Sequence, residues 1–466
     1  MTRELFERTA RLAADYVESL DERPVAYGAK VEDLRKAFGG PLPDEGADPK
    51  AVIDELASIA DHGIVASSGP RFFGFVVGGT LPAALAADWL ATTWDQNAGI
   101  YILAPAASVA EEVAADWLKD LLGLPATASA GFVTGGQQAN FSGLAAARHA
   151  VLERVGWDVG ARGLFGAPEI HVVVGDEAHV TIFRALQLLG LGRERVHRVA
   201  IDDQGRMLAG ALRAKLDSIG DQPVIVCAQV GNVNSGAIDP VGAIADTCMG
   251  RNAWLHVDGA FGLWAAASPR LRHLVEGFER ADSWATDAHK WLNVPYDSGL
   301  VFCADPKAHQ AALSTTAAYL IQSDGRERDP FGWTPEFSRR ARGFAVWAAL
   351  KSLGRKGVAE LIDSGCDRAR QFAERLTAHE QFEILNDVVL NQVLVRISPP
   401  GGGDDDATDA HTRRVIDRVQ QRGELWLSGT NWFGRAAMRI SVSGWRTTEA
   451  DVERSVKAVV AAGVSS

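Results

Sequence analysis

Lys290 stands in Asp287-Ala-His-Lys-Trp291, between His289 and the apolar pair Trp291-Leu292, with Trp284 and Ala285 upstream. A lysine is ordinarily a solvated surface charge. Apolar neighbours that strip water from the ammonium group lower its pKa and leave an amine able to form a Schiff base with a carbonyl. Asp258, in His256-Val-Asp-Gly-Ala260, ends a run of strand-forming residues. An aspartate there either caps a turn or sets a fixed negative charge in a crevice. Gly135-Gly-Gln-Gln-Ala-Asn140 lies ahead of the helix-prone stretch Leu144 to Leu152. Its backbone N–H groups and the positive helix end suit a phosphate, although a Gly-Gly pair is also an ordinary tight turn. The stretch matches neither the P-loop nor the dinucleotide fingerprint. His179, in Gly175-Asp-Glu-Ala-His179, together with Asn232 and Asn234, completes the polar set.

The elements that must hold these groups follow from the pattern of the chain. From about Ala83 to Val346 short β-rich runs alternate with helical ones, as in a mostly parallel sheet covered by helices. The clearest strands are predicted at Ile170 to Val174, Val224 to Val230, Ala253 to Val257 and Leu300 to Cys303, with a short run at Ser283 to Thr286. His179, Asn232, Asn234, Asp258 and the segment Asp287 to Lys290 each fall just after one of these runs. Ligands gather at that edge of an open α/β sheet. An amine nucleophile, a fixed anion and a phosphate-ready helix end are also what pyridoxal-5′-phosphate (PLP) asks of a protein. The anion keeps the pyridine nitrogen protonated, so that the ring can accept electrons.

At the amino terminus Leu5, Leu12, Tyr16 and Leu20 recur at helical spacing, giving an amphipathic helix whose apolar stripe needs a partner, in its own chain or in a second one. After the helical stretch through Phe344, Trp347, Leu350 and Leu353 the chain has fewer strands, expected at Val393 to Ile397 and Met438 to Val442. Gly401-Gly-Gly-Asp-Asp-Asp406 reads as a mobile surface loop, because adjacent like charges resist packing. Thr448-Glu-Ala-Asp451 resembles a helix cap.

With 466 residues and 47% hydrophobic content, the chain is large enough for a buried active site. A net charge of −12 without a long basic run disfavours nucleic acid or an anionic membrane surface as partner. The start of the chain lacks a signal-peptide core and no later segment is a membrane span, so a cytoplasmic protein is expected. Cys227, Cys248, Cys303 and Cys366 are dispersed, which argues for free thiols and against disulfides or a metal site.

The chain resembles the group II PLP-dependent amino acid decarboxylases, the family of the aromatic-amino-acid, histidine and glutamate decarboxylases. The resemblance covers almost the whole length. It rests on His256-Val-Asp-Gly-Ala260 followed by Ala281-Asp-Ser-Trp-Ala-Thr-Asp-Ala-His-Lys-Trp291, and on Asp176-Glu-Ala-His179 and Gly135-Gly-Gln-Gln-Ala-Asn140. It implies a PLP-dependent transferase fold of the aspartate-aminotransferase type (fold type I), an α/β architecture with a large, mainly parallel-sheet domain. The expected division is residues 1–72 as a helical segment for dimer contact, 73–345 as the PLP-binding domain and 346–466 as a small α/β domain, in a homodimer.

The family's site residues carry over position by position. The resemblance implies that Lys290 holds PLP as a Schiff base, Asp258 pairs with the pyridinium nitrogen, His179 stacks on the ring and Ala260 packs against its other face. Gly136, Gln137, Gln138 and His289 surround the phosphate, with Asn232 and Asn234 near the cofactor. Asp287 stands where aromatic members often carry Asn, and an acid facing phosphate needs a donor or a proton. The implied reaction is α-decarboxylation of an L-amino acid. Arg71-Phe-Phe-Gly-Phe75 matches the segment lining the substrate, so Phe73 and Phe75 favour an aromatic side chain, while Arg71, Arg340 or Arg342 would serve an acidic one. The family's proton-donating Tyr is replaced here by Pro330 or Phe331, neither of which can donate. That departure points to His179 or Tyr319 as donor, or to an oxygen-dependent aldehyde product. Other PLP reactions and a non-catalytic PLP-binding protein are the competing expectations.

Overall fold

A computed structural model describes residues 2–26, 28–314 and 327–464. Tyr319 lies outside the described residues. By Cα packing the chain forms two compact units, one of residues 1–77, 371–385 and 394–466, the other of residues 78–370 and 386–393.

The larger unit is built on a seven-stranded sheet. Its strands are β1 (Ser129–Val133), β2 (His171–Gly175), β3 (His197–Val199), β4 (Val224–Gln229), β5 (Ala253–Asp258), β6 (Ser283–Asp287) and β7 (Gly299–Cys303), in the order β1-β7-β6-β5-β4-β2-β3. Strands β2 to β6 pair in parallel with their neighbours, whereas β7 runs antiparallel to both β6 and β1. The carboxyl ends of β1, β2, β4, β5 and β6 therefore share one edge. Strand β4 reads Val-Ile-Val-Cys-Ala-Gln and is buried at every position, as expected of a strand covered on both faces. On one face the Gly136–Glu153 helix packs its Leu144, Ala147 and Val151 against Val172, Val174, Ile225 and Trp254 of the sheet.

A buried ion pair ties this sheet to the Pro105–Leu122 helix. Arg339 and Glu111 meet at 2.7 Å with both side chains fully buried. Arg339 also donates to the carbonyls of Ala98 and Phe132, so its charge is matched by a carboxylate and by backbone dipoles.

The smaller unit carries a four-stranded sheet of β8 (Phe382–Ile384), β9 (Gln392–Ile397), β10 (Ser428–Trp432) and β11 (Arg435–Ser441), ordered β10-β11-β9-β8. The Asp405–Arg422 and Glu449–Gly463 helices belong to the same unit. Residues 71–73 join it through backbone bonds: Trp426 N–H donates to the Arg71 carbonyl, Phe73 N–H to the Trp426 carbonyl and Ser441 N–H to the Phe73 carbonyl. Phe72 and Phe75 both stack against Trp426, at centroid distances of 5.0 and 5.1 Å. Phe75 and Val76 both take the left-handed backbone region, with φ of 53° and 58°, a rare conformation for a β-branched valine.

One expectation is corrected here. Asp404, Asp405 and Asp406 are not loop residues: Asp404 caps the Asp405–Arg422 helix and the other two lie in its first turn, where the helix dipole favours negative charge. Arg396 pairs with Asp405 at 2.7 Å and with Asp409 at 3.0 Å. The Thr448 cap forms as expected, with a reciprocal bond to Asp451.

Two imidazoles in the larger unit are wholly buried. Burial pushes His256 down to about 4 and His309 down to about 3, from an ordinary 6.5. Between these values and 6.5 the unfolded chain binds protons that the folded chain refuses, so stability falls as pH drops below about 6.5. Buried Asp239 acts in the opposite sense: burial raises it to about 6, so it favours the folded state on acidification. The imidazoles of His197, His289 and His411 are also held low and the carboxyls of Glu177 and Asp282 high, so lowered imidazoles outnumber raised carboxyls and wild-type protein is expected to lose stability from pH 6.5 to 5. In His309→Gln the slope over that interval should flatten by about 1 kcal/mol per pH unit, most of the value of one proton. Urea unfolding of both proteins at each pH measures this, and parallel slopes would contradict it.

Candidate active site

The carboxyl edge of the large sheet brings Asp258, Asp287, His289 and Lys290 together with the amino end of the Gly136–Glu153 helix. Asp258 is the last residue of β5 and is 4% exposed. Its Oδ2 accepts from Asn140 Nδ2 at 3.0 Å and lies 3.5 Å from Thr181 Oγ1, while its Oδ1 accepts from the Ala260 N–H at 3.2 Å. Donors on both oxygens fix the orientation of the carboxylate and satisfy its acceptor sites in a buried position.

Asp287 ends β6, and three residues later Lys290 Nζ comes back to within 3.2 Å of Asp287 Oδ2. His289 Nε2 lies 3.4 Å from Asp287 Oδ1, and the Gly136 N–H donates to the same oxygen. Burial holds His289 below its ordinary pKa, more than Asp287 raises it. Its ring stacks on Tyr296 at 4.3 Å, and its Nδ1 accepts from the Ser298 N–H. The lysine side chain keeps 18% exposure, enough for a ligand to reach its amine.

The glycines here are steric requirements. A Cβ on Gly136 would come within 2.7 Å of Asp287 Oδ2, and one on Gly135 within 3.0 Å of His289. A Cβ on Gly78 would overlap the Lys290 carbonyl. Asn293 fastens that segment, accepting from the Gly79 N–H at 2.6 Å through its side chain and from the Leu81 N–H through its carbonyl.

His179 caps the Val180–Leu188 helix, and its Nδ1 lies 2.8 Å from Thr181 Oγ1. Thr181 thus links His179 to Asp258. Sequence reasoning missed Thr181, although its place two residues after His179 was a readable signal. Gln137 donates to the Thr181 carbonyl at 3.3 Å, and the Gln138 N–H to the Gly135 carbonyl at 2.9 Å. Asn232 makes a turn: its Oδ1 accepts from the N–H groups of Asn234 and Ser235, while its buried Nδ2 has no hydrogen-bond partner. Ala260 lies beside Asp258, with its carbonyl accepting from the Asp287 N–H.

The other positions read from the sequence have contacts of their own. Phe73 is fully buried against Phe372, ring to ring at 5.0 Å, whereas Phe75 is 60% exposed. Arg340 pairs with Asp88 at 2.7 Å and donates to Thr92, and Arg342 pairs with Asp297 at 2.9 Å. Arg71 is 2% exposed and donates to the carbonyls of Glu424 and Asp21. Phe331 sits in a 3₁₀ turn over Pro330–Trp333, 4% exposed and packed on Phe337 at 5.1 Å.

These residues fit PLP. A buried anion stands at the end of β5, an amine at the end of the β6 turn, and a glycine-bared helix start with an adjacent imidazole can receive a phosphate. Asp287 is the exception, because its carboxylate already draws on the donors a phosphate would use. Asp287→Asn is therefore expected to tighten PLP binding by about tenfold, the equivalent of about 1.4 kcal/mol of relieved repulsion. Equilibrium dialysis of cofactor against both proteins tests this, and weaker binding in the variant would show that the carboxylate supports the cofactor.

The pyridoxal-dependent decarboxylase conserved domain matches residues 32–398. The aromatic-L-amino-acid decarboxylase of Bacillus atrophaeus is 28% identical over 96% of this chain and 92% of its own length. Tryptophan decarboxylase 1 of Oryza sativa subsp. japonica is 29% identical over 94% of this chain and 89% of its own. Among solved structures, Oryza sativa TDC with PLP and tryptamine superposes with a TM-score of 0.92 at 26% identity, covering 99% of this chain and 97% of that one. With its type I fold, this chain belongs to the pyridoxal-dependent decarboxylase family and is a PLP-dependent amino acid carboxy-lyase.

Proposed function

We propose that the enzyme decarboxylates an aromatic L-amino acid at Lys290, releasing carbon dioxide and the corresponding amine. PLP supplies the electron sink for the bond between Cα and the carboxylate. Lys290 Nζ would hold the cofactor through its amine, and the Asp258 carboxylate would keep a proton on the ring nitrogen. The Gly136 N–H and His289 would hold the phosphate, and His179, fixed by Thr181, would with Ala260 exclude water and help orient the substrate.

The observation that carries the aromatic preference is the state of the arginines. Arg71, Arg340 and Arg342 are each engaged by carboxylates or carbonyls of their own surroundings, so none is offered to an acidic side chain. The names of the relatives agree with this reading. Comparison of kcat/KM for L-tryptophan, L-tyrosine and L-phenylalanine with that for L-glutamate tests it, with amine, aldehyde and peroxide all measured. An aromatic substrate should lead by at least about a hundredfold, since a buried apolar pocket rejects an unpaired charge. Preference for glutamate would reject the assignment, and aldehyde with peroxide would replace the amine product.

A homodimer in the cytoplasm belongs to the same proposal, with residues 1–72 as contact, 73–345 as the cofactor part and 346–466 as the small domain. The Thr2–Ser19 helix has no buried residue, and Phe6 is 58% exposed, which supports a second chain as its cover. No helix among the described residues is long and apolar enough to cross a membrane.

A further inference from the structure

Behind Asp258 lies a chain of hydrogen bonds that no part of the proposed reaction uses. Trp254 Nε1 donates to Ser283 Oγ at 2.8 Å, Ser283 Oγ lies 2.8 Å from His256 Nδ1, His256 Nε2 lies 2.9 Å from Asn140 Oδ1, and Asn140 Nδ2 donates to Asp258 Oδ2 at 3.0 Å. All four relay side chains are completely buried. Gly143 makes room for the imidazole, since a Cβ there would come within 2.7 Å of His256 Cε1.

The direction of the chain is fixed at both ends. An indole N–H can only donate and a carboxylate can only accept. Asn140 turns its amide N–H groups to Asp258 and Thr181, so its carbonyl oxygen faces His256 Nε2 and can only accept. The neutral imidazole therefore carries its hydrogen on Nε2, and its bare Nδ1 accepts the hydroxyl proton of Ser283, which in turn accepts from Trp254. Burial keeps His256 neutral, so the chain stays intact across the physiological range. Each bond polarises the next in a buried, low-dielectric interior. The other titratable group beside Asp258 is Cys227 on β4, whose thiol burial pushes far above its usual range, leaving it protonated.

We infer that Trp254, Ser283, His256 and Asn140 are positioning residues that keep the proton shared by Asp258 and the cofactor on the ring nitrogen. A desolvated carboxylate with few donors becomes a stronger base and would take that proton for itself. Asn140, held by the relay, delivers such a donor to Asp258 Oδ2. The inference rests on the reading that Asp258 faces the ring nitrogen.

The test uses holoenzyme loaded with PLP carrying ¹⁵N in the ring, whose NMR shift reports whether that nitrogen bears a proton. Wild type should show the protonated signal. In His256→Leu and Asn140→Leu the ring-nitrogen signal at a fixed pH should move most of the way toward that of an unprotonated ring, because the proton passes to a carboxylate that has lost a hydrogen bond. His256→Gln, which can again place an N–H near Asn140, should recover most of the shift. If the leucine variants do not fold, Gly143→Ala displaces the imidazole without removing a group and should move the signal in the same direction. An unchanged signal in the relay variants, with loss of protonation in Asp258→Ala, would overturn the relay and leave the role of Asp258 standing. An unchanged signal in Asp258→Ala would instead overturn the reading beneath it.

Discussion

Lys290→Ala is expected to lower decarboxylation by at least about a thousandfold, the upper part of the range for removing a group that moves protons at the reacting atom. The loss should exceed that figure if covalent attachment is also needed, because alanine removes the amine that holds the cofactor and returns it after turnover. The fold should persist: Lys290 makes one side-chain ion pair, with Asp287, and the turn around it is held by backbone and Asn293 bonds. Carbon dioxide release and the far-ultraviolet spectrum of the variant measure the two halves of this expectation. Activity within tenfold of wild type in a folded Lys290→Ala protein would remove the lysine from the mechanism.

Asp258→Ala is expected to cost about a hundredfold to a thousandfold, in line with removing one preorganised electrostatic partner of a developing charge. Asp258→Glu should lose less, since it keeps the charge but moves it by one methylene. The contrast matters because alanine also leaves one of the two Asn140 amide N–H groups without its acceptor, the other still donating to Thr181. Urea unfolding separates that structural cost from the catalytic one: a loss of a few kcal/mol at most, leaving both variants folded, with unequal turnover is the expected result. Equal turnover in both would deny the carboxylate an electronic role.

Much of this architecture is written in local patterns. Strand β4 is apolar up to its last residue and β5 is interrupted only by His256 before Asp258, and the site falls at their ends because a parallel sheet collects loops there. Strand β1, with its sequence Ser-Ala-Gly-Phe-Val, carries too little β-branched character to stand out and is a strand because β7 pairs with it. The bonds from Arg71 and Phe73 to Trp426 join residues some 350 positions apart, and nothing local to either end announces them. The acidic run at 404–406 misled for a related reason. Its charges look repulsive in one dimension and become favourable once a helix start and Arg396 stand beside them.

The site divides along the same line. Lys290 and Asp258 are legible because the chemistry dictates their types and the strands dictate their places. Thr181, Asn140, His256 and Ser283 matter through mutual geometry, and their partners lie on different strands and helices. Phe331 looks like a site residue when aligned by motif, yet its ring packs in the core against Phe337.

The account turns on where the cofactor is held. Borohydride reduction of the PLP-loaded enzyme, followed by proteolysis and mass spectrometry, reads this directly. The account predicts one modified peptide, the one containing Lys290, with the label absent from Lys290→Ala. A label on any other lysine, or an unreduced cofactor in an active enzyme, would contradict it.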